Sequence, residues 1–535
     1  IIFVSEPLRI CATAMAGATQ SLGNQIREEQ RSQCQRSTAC VLGLSIVSTV
    51  IIMSCFPSRG EAPEEPVTPA AAPYESACSA HAQCAGQQGE CCPTDTGILM
   101  GCCNRINVAS EVSPFHGLCY APTPAKNITV LPTDDYMAPW AQGLWGRGGA
   151  SRDDLGAIRQ MGFRVLRLYG NDPRLSHGDF LMRCKALGLK VVVAISDYPY
   201  TQDPNGKCAT APPYSCYTEV REQFGAMLKN GFVLKAKSGA MQYHPAIEAV
   251  ILINEPELKI TYEGQIAKEA LSQGYYTKVL LSALDGALSA EKELEITGPK
   301  PPFTIVSSFS KCEICKSSVA GNRAGEASVG SYAALGFMYD FVLGALKPQL
   351  FDYKPQYDLK GALQNRFLLG FNTQDTSDVI CSQVLKPLKD TPLSGLPIWA
   401  GEYKAWYQSL PESKVNDFKE DFSRVSSWLG ESNSCDGDGA PLQGLSLFEF
   451  QVSYYKGSGD HQMTFGIYEL GSKQLGSTMK AEETKWEDFP VWCRKQRRSN
   501  DGSSWAQAAA DVLGGSLRND DDCPLNTSFE ELLQF

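Results

Sequence analysis

The chain has 535 residues, of which 43% are hydrophobic and 20% are charged, and this balance excludes the disordered and fibrous classes of protein. The net charge of -11 and the pI near 5.2 argue against a broad basic surface, so we predict no nucleic-acid partner. Twenty cysteines are typical of an oxidising environment, whereas five histidines without a His-Glu-x-x-His motif predict neither a metal site nor a cofactor.

The first predicted element is an uncharged apolar stretch at residues 39–56, which is just long enough to cross a bilayer. Arginines precede it and glutamates follow it, and this asymmetry predicts that residues 1–38 form a cytoplasmic tail and that everything after residue 56 is exported. We therefore expect a signal anchor or transmembrane helix that tethers the protein to the membrane at the cell surface. A cleaved signal peptide, which would release a secreted protein, is the alternative.

Two small regions separate this segment from the rest of the chain. Residues 57–77 are rich in proline, alanine and glutamate and predict an extended stalk. Residues 78–120 contain a cluster of cysteines with few large apolar residues, so disulfides must hold this module together. The module is either a disulfide-stapled spacer or a glycan-binding accessory.

Strands and helices alternate through residues 121–535, which also contain N-glycosylation sequons at Asn127 and Asn526. The predicted strands are 128–134, 163–170, 189–197, 246–254, 303–309, 366–372, 396–403 and 444–451. The predicted helices are 153–161, 180–188, 217–237, 277–288, 332–346, 379–388, 415–429 and 504–513. Eight strands, most of them almost wholly apolar, with helices between them indicate an α/β fold of the (β/α)₈ TIM-barrel type.

Three of these strands end in residues that do not belong in a core. The second ends in Arg167-Leu168-Tyr169, the fourth in Asn254-Glu255-Pro256, and the seventh in Gly401-Glu402-Tyr403. Reactive groups of such barrels lie at the carboxyl ends of strands, and glycosidic cleavage needs a pair of carboxyl groups facing each other across a sugar. The sequence therefore predicts an active site with the glutamates of the fourth and seventh strands as its catalytic pair.

Other interpretations apply to each of these acidic positions. A glutamate after an apolar strand is often a first-turn helix residue that interacts with the helix dipole, and Glu255 and Glu402 could each be explained in this way. Their pairing with an arginine at a third strand end favours catalysis. Asp436-Gly-Asp438 lacks the full spacing of a calcium loop, so we interpret it as an acidic turn.

The order of these motifs resembles clan-A glycoside hydrolases, in particular the β-1,3-glucanosyltransferases of family 72 and the β-1,3-glucanases of family 17. The resemblance covers roughly residues 130–470 and rests on four segments of the sequence. They are the block at 154–197, ILINEPE at 251–257, IWAGEYKAW at 398–406 and the aromatic segment at 444–470.

The resemblance implies a retaining hydrolase or transglycosylase that acts on β-glucan, with Glu402 as nucleophile and Glu255 as general acid/base. It implies that Asn254 binds the 2-hydroxyl of the sugar and that Arg167 binds Glu402. It further implies that four aromatic residues position or stack on the sugar, namely Tyr169, Tyr403, Trp406 and Phe448. The alternative function is a non-catalytic cell-wall or glycan-binding protein that keeps the barrel as a scaffold.

Overall fold

A computed structural model describes most of the second half of the chain and part of the first. The described residues are 78, 88–89, 113–126, 133–146, 151–195, 197–202, 208–260, 274–308, 333–389, 391–404, 415–430, 433–454, 465–478 and 489–517. The predicted tail, membrane span and stalk lie outside these residues, as do most of the cysteine module and both sequons. Within the described ranges, no helix is long and apolar enough to cross a membrane.

Eight parallel strands close into a barrel, which confirms the predicted TIM-barrel fold. They are β1 (Phe115–Cys119), β2 (Val165–Arg167), β3 (Lys190–Ala194), β6 (Ile247–Asn254), β7 (Phe303–Ser308), β8 (Phe367–Thr373), β9 (Ile398–Tyr403) and β10 (Leu442–Leu447). Around the barrel they follow the order β1-β10-β9-β8-β7-β6-β3-β2. Two antiparallel hairpins are added, β4 (Val233–Lys235) with β5 (Met241–Tyr243) and β11 (Tyr468–Ser477) with β12 (Pro490–Gln496).

Helices follow most of the barrel strands. The longer ones are α1 (Asp154–Gln160), α2 (Gly178–Ala186), α3 (Tyr217–Met227), α4 (Tyr275–Glu293), α5 (Ala333–Leu346), α6 (Leu359–Arg366), α7 (Val415–Ser426) and α8 (Trp505–Leu513). Within the predicted helix 217–237, the α-helix ends at Met227 and a π-helical segment, Leu228–Phe232, follows it. Gly231 in that segment has a left-handed φ of 124° and turns the chain toward β4. The predicted helix 379–388 is divided into the short segments Ser377–Val379, Ile380–Leu385 and Lys386–Lys389.

The first strand was predicted at 128–134, and this prediction is wrong. The strand that closes the barrel is β1, which pairs with β10 on one side and β2 on the other. Gly117 allows this close approach, since a Cβ atom there would lie 2.4 Å from the hydroxyl oxygen of Ser446. The barrel therefore begins before residue 121, inside the region that was assigned to the cysteine module.

Apolar side chains fill the middle of the barrel, and polar ones occupy its carboxyl-terminal end. The buried apolar layer consists of Phe115, Val165, Val192, Ala194, Ala249, Ile251, Val306, Leu368 and Trp399. Side chains of a strand alternate between its two faces, so the next inward positions lie one layer higher. Alternation from Val165 and Leu368 brings Arg167 and Asn372 inward, whereas register shifts in β6 and β9 bring Asn254 and Glu402 inward. These four residues form a polar floor at the barrel mouth.

A β-bulge in β9 sets the direction of Glu402. Ala400 and Glu402 pair with consecutive residues of β8, so Gly401 is an extra residue in the ladder. Because a bulge reverses the alternation beyond it, Glu402 faces the barrel mouth and Tyr403 faces the helices. A Cβ atom on Gly401 would lie 3.0 Å from Oδ1 of Asn372, so the tight packing at this point favours glycine.

Two disulfides join cysteines of the described residues, Cys208 with Cys216 and Cys381 with Cys435. These bonds agree with the oxidising environment that the cysteine content predicts. At the predicted acidic turn, Asp436 forms an ion pair with Lys386 at 3.1 Å.

Candidate active site

Glu255 follows the last residue of β6 in an uncommon backbone conformation. Its φ is 51°, in the left-handed region that costs free energy for a residue other than glycine. Its backbone N–H donates to the carbonyl oxygen of Val306 in β7 at 2.6 Å, and the short helix Pro256–Leu258 begins at the next residue. The turn therefore holds the Glu255 side chain over the barrel mouth.

Arg167 connects Glu402 to the residues around Glu255. Its side chain is fully buried, and Nη1 lies 2.8 Å from Oε1 of Glu402 in an ion pair whose angle is not that of an aligned hydrogen bond. The guanidinium stacks over the ring of Tyr169, 3.9 Å from its centre. The contact between Arg167 and Glu402 that the sequence predicted is therefore present, and it gives that carboxylate a positive partner.

Asn254 and Asn372 continue the chain of contacts toward Glu255. Nη2 of Arg167 donates to Oδ1 of Asn254 at 2.7 Å, and Nδ2 of Asn372 donates to the same oxygen at 3.2 Å. The Nδ2 of Asn372 also donates to Oε1 of Glu255 at 3.0 Å. An unbroken path of polar contacts therefore runs from Glu402 through the arginine and both asparagines to Glu255.

The two glutamates have different electrostatic environments. Burial raises the pKa of Glu255, and the negative charge of Glu402 raises it further. The hydrogen bond from Asn372 and the charge of Arg167 act in the opposite direction and are outweighed. Glu255 thus keeps its proton to a higher pH than an exposed glutamate, whereas Glu402 has an arginine in direct ionic contact.

A third glutamate, Glu257, lies beneath the turn and is fully buried. The backbone N–H of Ser308 donates to its Oε1. Burial raises its pKa to about 8, and the nearby charge of Glu255 acts in the same direction. Glu257 therefore keeps its proton to a higher pH than an exposed glutamate, and its contact with Ser308 joins the turn after β6 to the end of β7.

The stability of the protein is expected to fall between pH 5 and pH 8 because of Glu257. Its pKa is raised on folding, so its contribution is complete below the unfolded value near 4.5 and is lost as the pH rises through about 8. The substitution E257Q removes this titration. We expect the unfolding temperature of the wild type to drop over this interval by roughly a few degrees more than that of E257Q. Equal drops in thermal melts of the two proteins would contradict the assignment.

Two of the aromatic residues predicted to contact sugar are packed inside the protein. Tyr403 is fully buried, donates its hydroxyl hydrogen to Asp421 of α7 and stacks on Phe422. Phe448 is only 4% exposed, and Nζ of Lys404 lies 4.5 Å from its ring centre. The sugar-contacting role predicted for Tyr403 is therefore wrong, because the bulge turns its side chain toward the helices. Phe448 packs against the ring of Tyr169, and its sugar-contacting role stays a prediction.

The other aromatic candidates differ in how far the structure describes them. Tyr169 is only partly buried and meets Phe448 edge-on at 6.4 Å. It therefore stays a candidate for positioning a sugar. Trp406 lies outside the described residues. Asn372 was not among the predicted site residues, although it ends the sixth predicted strand, 366–372.

Comparisons with known proteins give weak matches. No protein-family model matches the chain, and no curated protein matches it. Among solved structures, the chain is similar to Gas2p of Saccharomyces cerevisiae in complex with laminaritriose and laminaritetraose, with 12% identity, 79% of this chain and 68% of that chain covered, and a TM-score of 0.37. A ScGas2 complex with compound 7 is 12% identical over 78% of this chain and 70% of that chain, with a TM-score of 0.38.

Proposed function

We propose that the protein is a retaining glycoside hydrolase or transglycosylase that acts on β-1,3-linked glucan. The observation that carries the proposal is the continuous set of contacts between Glu402 and Glu255 at one mouth of a closed barrel. Two carboxyl groups in unlike environments are what double displacement requires, one charged to attack and one protonated to donate.

In the first step, the Glu402 carboxylate attacks the anomeric carbon while Glu255 protonates the departing oxygen. The ion pair with Arg167 fixes the direction of the attacking carboxylate. Because Oδ1 of Asn254 already accepts from two donors, its Nδ2 is left to donate toward the sugar's 2-hydroxyl. A bond to this hydroxyl strengthens as the transition state forms.

In the second step, the ionised Glu255 takes a proton from an incoming hydroxyl group, which then attacks the anomeric carbon and releases Glu402. Water in this role gives hydrolysis, and a hydroxyl of another glucan chain gives transfer. The choice depends on how well the acceptor competes with water. The β-1,3 linkage and a cell-surface location, tethered through residues 39–56, are proposed on the motifs and the apolar segment of the sequence.

Incubating the purified protein with an end-labelled β-1,3-glucan oligosaccharide tests this function. We expect cleavage whose first product, followed by proton NMR, keeps the β configuration, because two displacements at one carbon restore it. Labelled products longer than the substrate identify a transglycosylase, and shorter products alone identify a hydrolase. Absence of cleavage on β-1,3-glucan, β-1,4-glucan and mannan would contradict catalysis and support the glycan-binding alternative.

A further inference from the structure

Asn372 lies in β8, the strand between β7 and β9, and its side chain is buried, with 3% of the residue exposed. In the sheet register it is the direct neighbour of Glu402 on one side and of Ser308 on the other. Its side chain reaches past β7 to Glu255, to which it donates a hydrogen bond at 3.0 Å. Asn372 is thus in contact with the surroundings of both candidate catalytic glutamates.

The orientation of its amide follows from its neighbours. An arginine side chain only donates hydrogen bonds, so the atom of Asn254 that faces Arg167 at 2.7 Å must be the amide oxygen. The atom of Asn372 that faces this oxygen at 3.2 Å must then be its NH₂ group. The same NH₂ group has two hydrogens, and the second is directed at Oε1 of Glu255. Through Asn254, Arg167 therefore fixes the orientation of the Asn372 amide so that its NH₂ group donates to Glu255.

We propose that Asn372 is a positioning residue of the active site. Its NH₂ group donates to both Asn254 and Glu255, and it thereby holds the Glu255 carboxyl group in place for its role as the acid/base. This inference rests on the proposed function for the role of Glu255. The contacts themselves do not depend on that role.

The side-chain oxygen of Asn372 also indicates that its amide has a fixed orientation. Oδ1 of Asn372 is buried and has no hydrogen-bond partner among the described residues. A buried acceptor without a partner is costly, and turning the amide over would bring two acceptors, Oδ1 and the oxygen of Asn254, face to face. The observed orientation leaves one acceptor unmatched and avoids that clash. It also places Oδ1 where a Cβ atom at position 401 would lie 3.0 Å away, beside Gly401.

Several charged groups determine the protonation of Glu255 together with this amide. Burial and the charge of Glu402 raise its pKa, and the charges of Arg167 and Lys259 lower it. Glu257 is a further acidic neighbour, two residues along the chain. The hydrogen bond from the amide favours the ionised form, so removing this donor raises the pKa of Glu255. Since Glu255 must be protonated to act as the acid, the alkaline limb of kcat/KM should then move to higher pH.

The first test compares pH profiles of the wild type and N372L on a β-1,3-glucan oligosaccharide. Leucine has nearly the shape of asparagine and no donor. We expect the alkaline limb to move up by about one pH unit and kcat to fall roughly tenfold, the size of one hydrogen bond to a charged group. In N372D the added negative charge should move the limb further in the same direction. The control is N365L, which makes the same exchange at an exposed site on α6.

A profile of N372L that coincides with those of the wild type and N365L would overturn the inference. Should N372L fail to fold, as judged by thermal melts, N372A takes its place with the same expected direction. The second test does not need turnover. Titrating glutamate carboxyl carbons by NMR, with E255Q to assign the signal, should give Glu255 a higher pKa in N372L than in the wild type. An unchanged pKa of Glu255 in N372L refutes the role of Asn372. A raised pKa in N372L, together with a wild type that does not cleave β-glucan, refutes only the proposed function.

Discussion

Replacing Glu402 with glutamine is expected to lower kcat on β-1,3-glucan by roughly three to six orders of magnitude, as loss of a catalytic nucleophile does. The amide has nearly the same shape and keeps an oxygen that can face Nη1 of Arg167, which lies 2.8 Å from the carboxylate. It cannot form a stable glycosyl ester. The measurement is initial-rate kinetics on a defined oligosaccharide, with circular dichroism and a thermal melt to verify folding.

The matched control for this variant is E420Q, which makes the same change at an exposed position of α7. We expect E420Q to keep wild-type kcat and KM. Turnover by E402Q at a rate comparable to that of E420Q would show that the nucleophile lies elsewhere, and an unfolded E402Q would be replaced by E402A, with the same expectation for kcat.

Replacing Glu255 with alanine is expected to affect substrates according to their leaving groups. Cleavage of an unactivated glucan needs a proton on the departing oxygen, so kcat should fall by about two to four orders of magnitude. A dinitrophenyl β-glucoside needs no such proton, so its first step should proceed and give a burst of dinitrophenol. Because Glu255 also serves as the base in the second step, added azide should increase the steady-state rate by replacing water as nucleophile.

Stopped-flow absorbance with both substrates, with and without azide, measures these effects. In E402Q neither a burst nor azide rescue is expected, and this difference separates the two roles. Equal losses by E255A on both substrates, without a burst, would contradict the assignment of Glu255 as the acid/base.

The strand ends were predictable because burial and polarity change there abruptly. Residues 247–253 are apolar apart from Glu248, and Asn254 and Glu255 follow at once, so both the strand and its polar end can be read from the sequence. The same contrast marks Arg167 after Val165 and Leu166. It also marks Asn372 after Phe371, but no acidic residue follows Asn372 directly, as Glu255 follows Asn254, so that position was not predicted.

The direction of Tyr403 could not be assigned from the sequence, because strand alternation alone gives the wrong faces at the end of β9. Trp399 points into the barrel, and regular alternation would point Tyr403 inward with it and Glu402 outward. The extra residue at Gly401 reverses this order, and a single glycine in a strand does not reveal a bulge by itself. The direction of the Glu402 side chain thus depends on a local irregularity that only the pairing register shows.

The first strand was missed for a different reason. FHGLC at 115–119 is short and contains histidine, glycine and cysteine, whereas ITVLPTD at 128–134 has the β-branched residues that favour strands. What makes 115–119 a strand is its fit between β10 and β2, where Gly117 meets Ser446. That fit is a property of contacts distant in sequence, and local propensity does not contain it.

The most direct measurement is to trap the sugar on the enzyme with a β-1,3-linked oligosaccharide that carries fluorine at C2 and fluoride as its leaving group. The C2 fluorine slows both steps by destabilising the positively charged transition state, while the good leaving group lets the first step proceed, so the covalent intermediate should accumulate. Peptide mass spectrometry is expected to find one added sugar chain, attached to the peptide that contains Glu402. A sugar attached to any other residue, or an active enzyme that forms no adduct, would contradict the account.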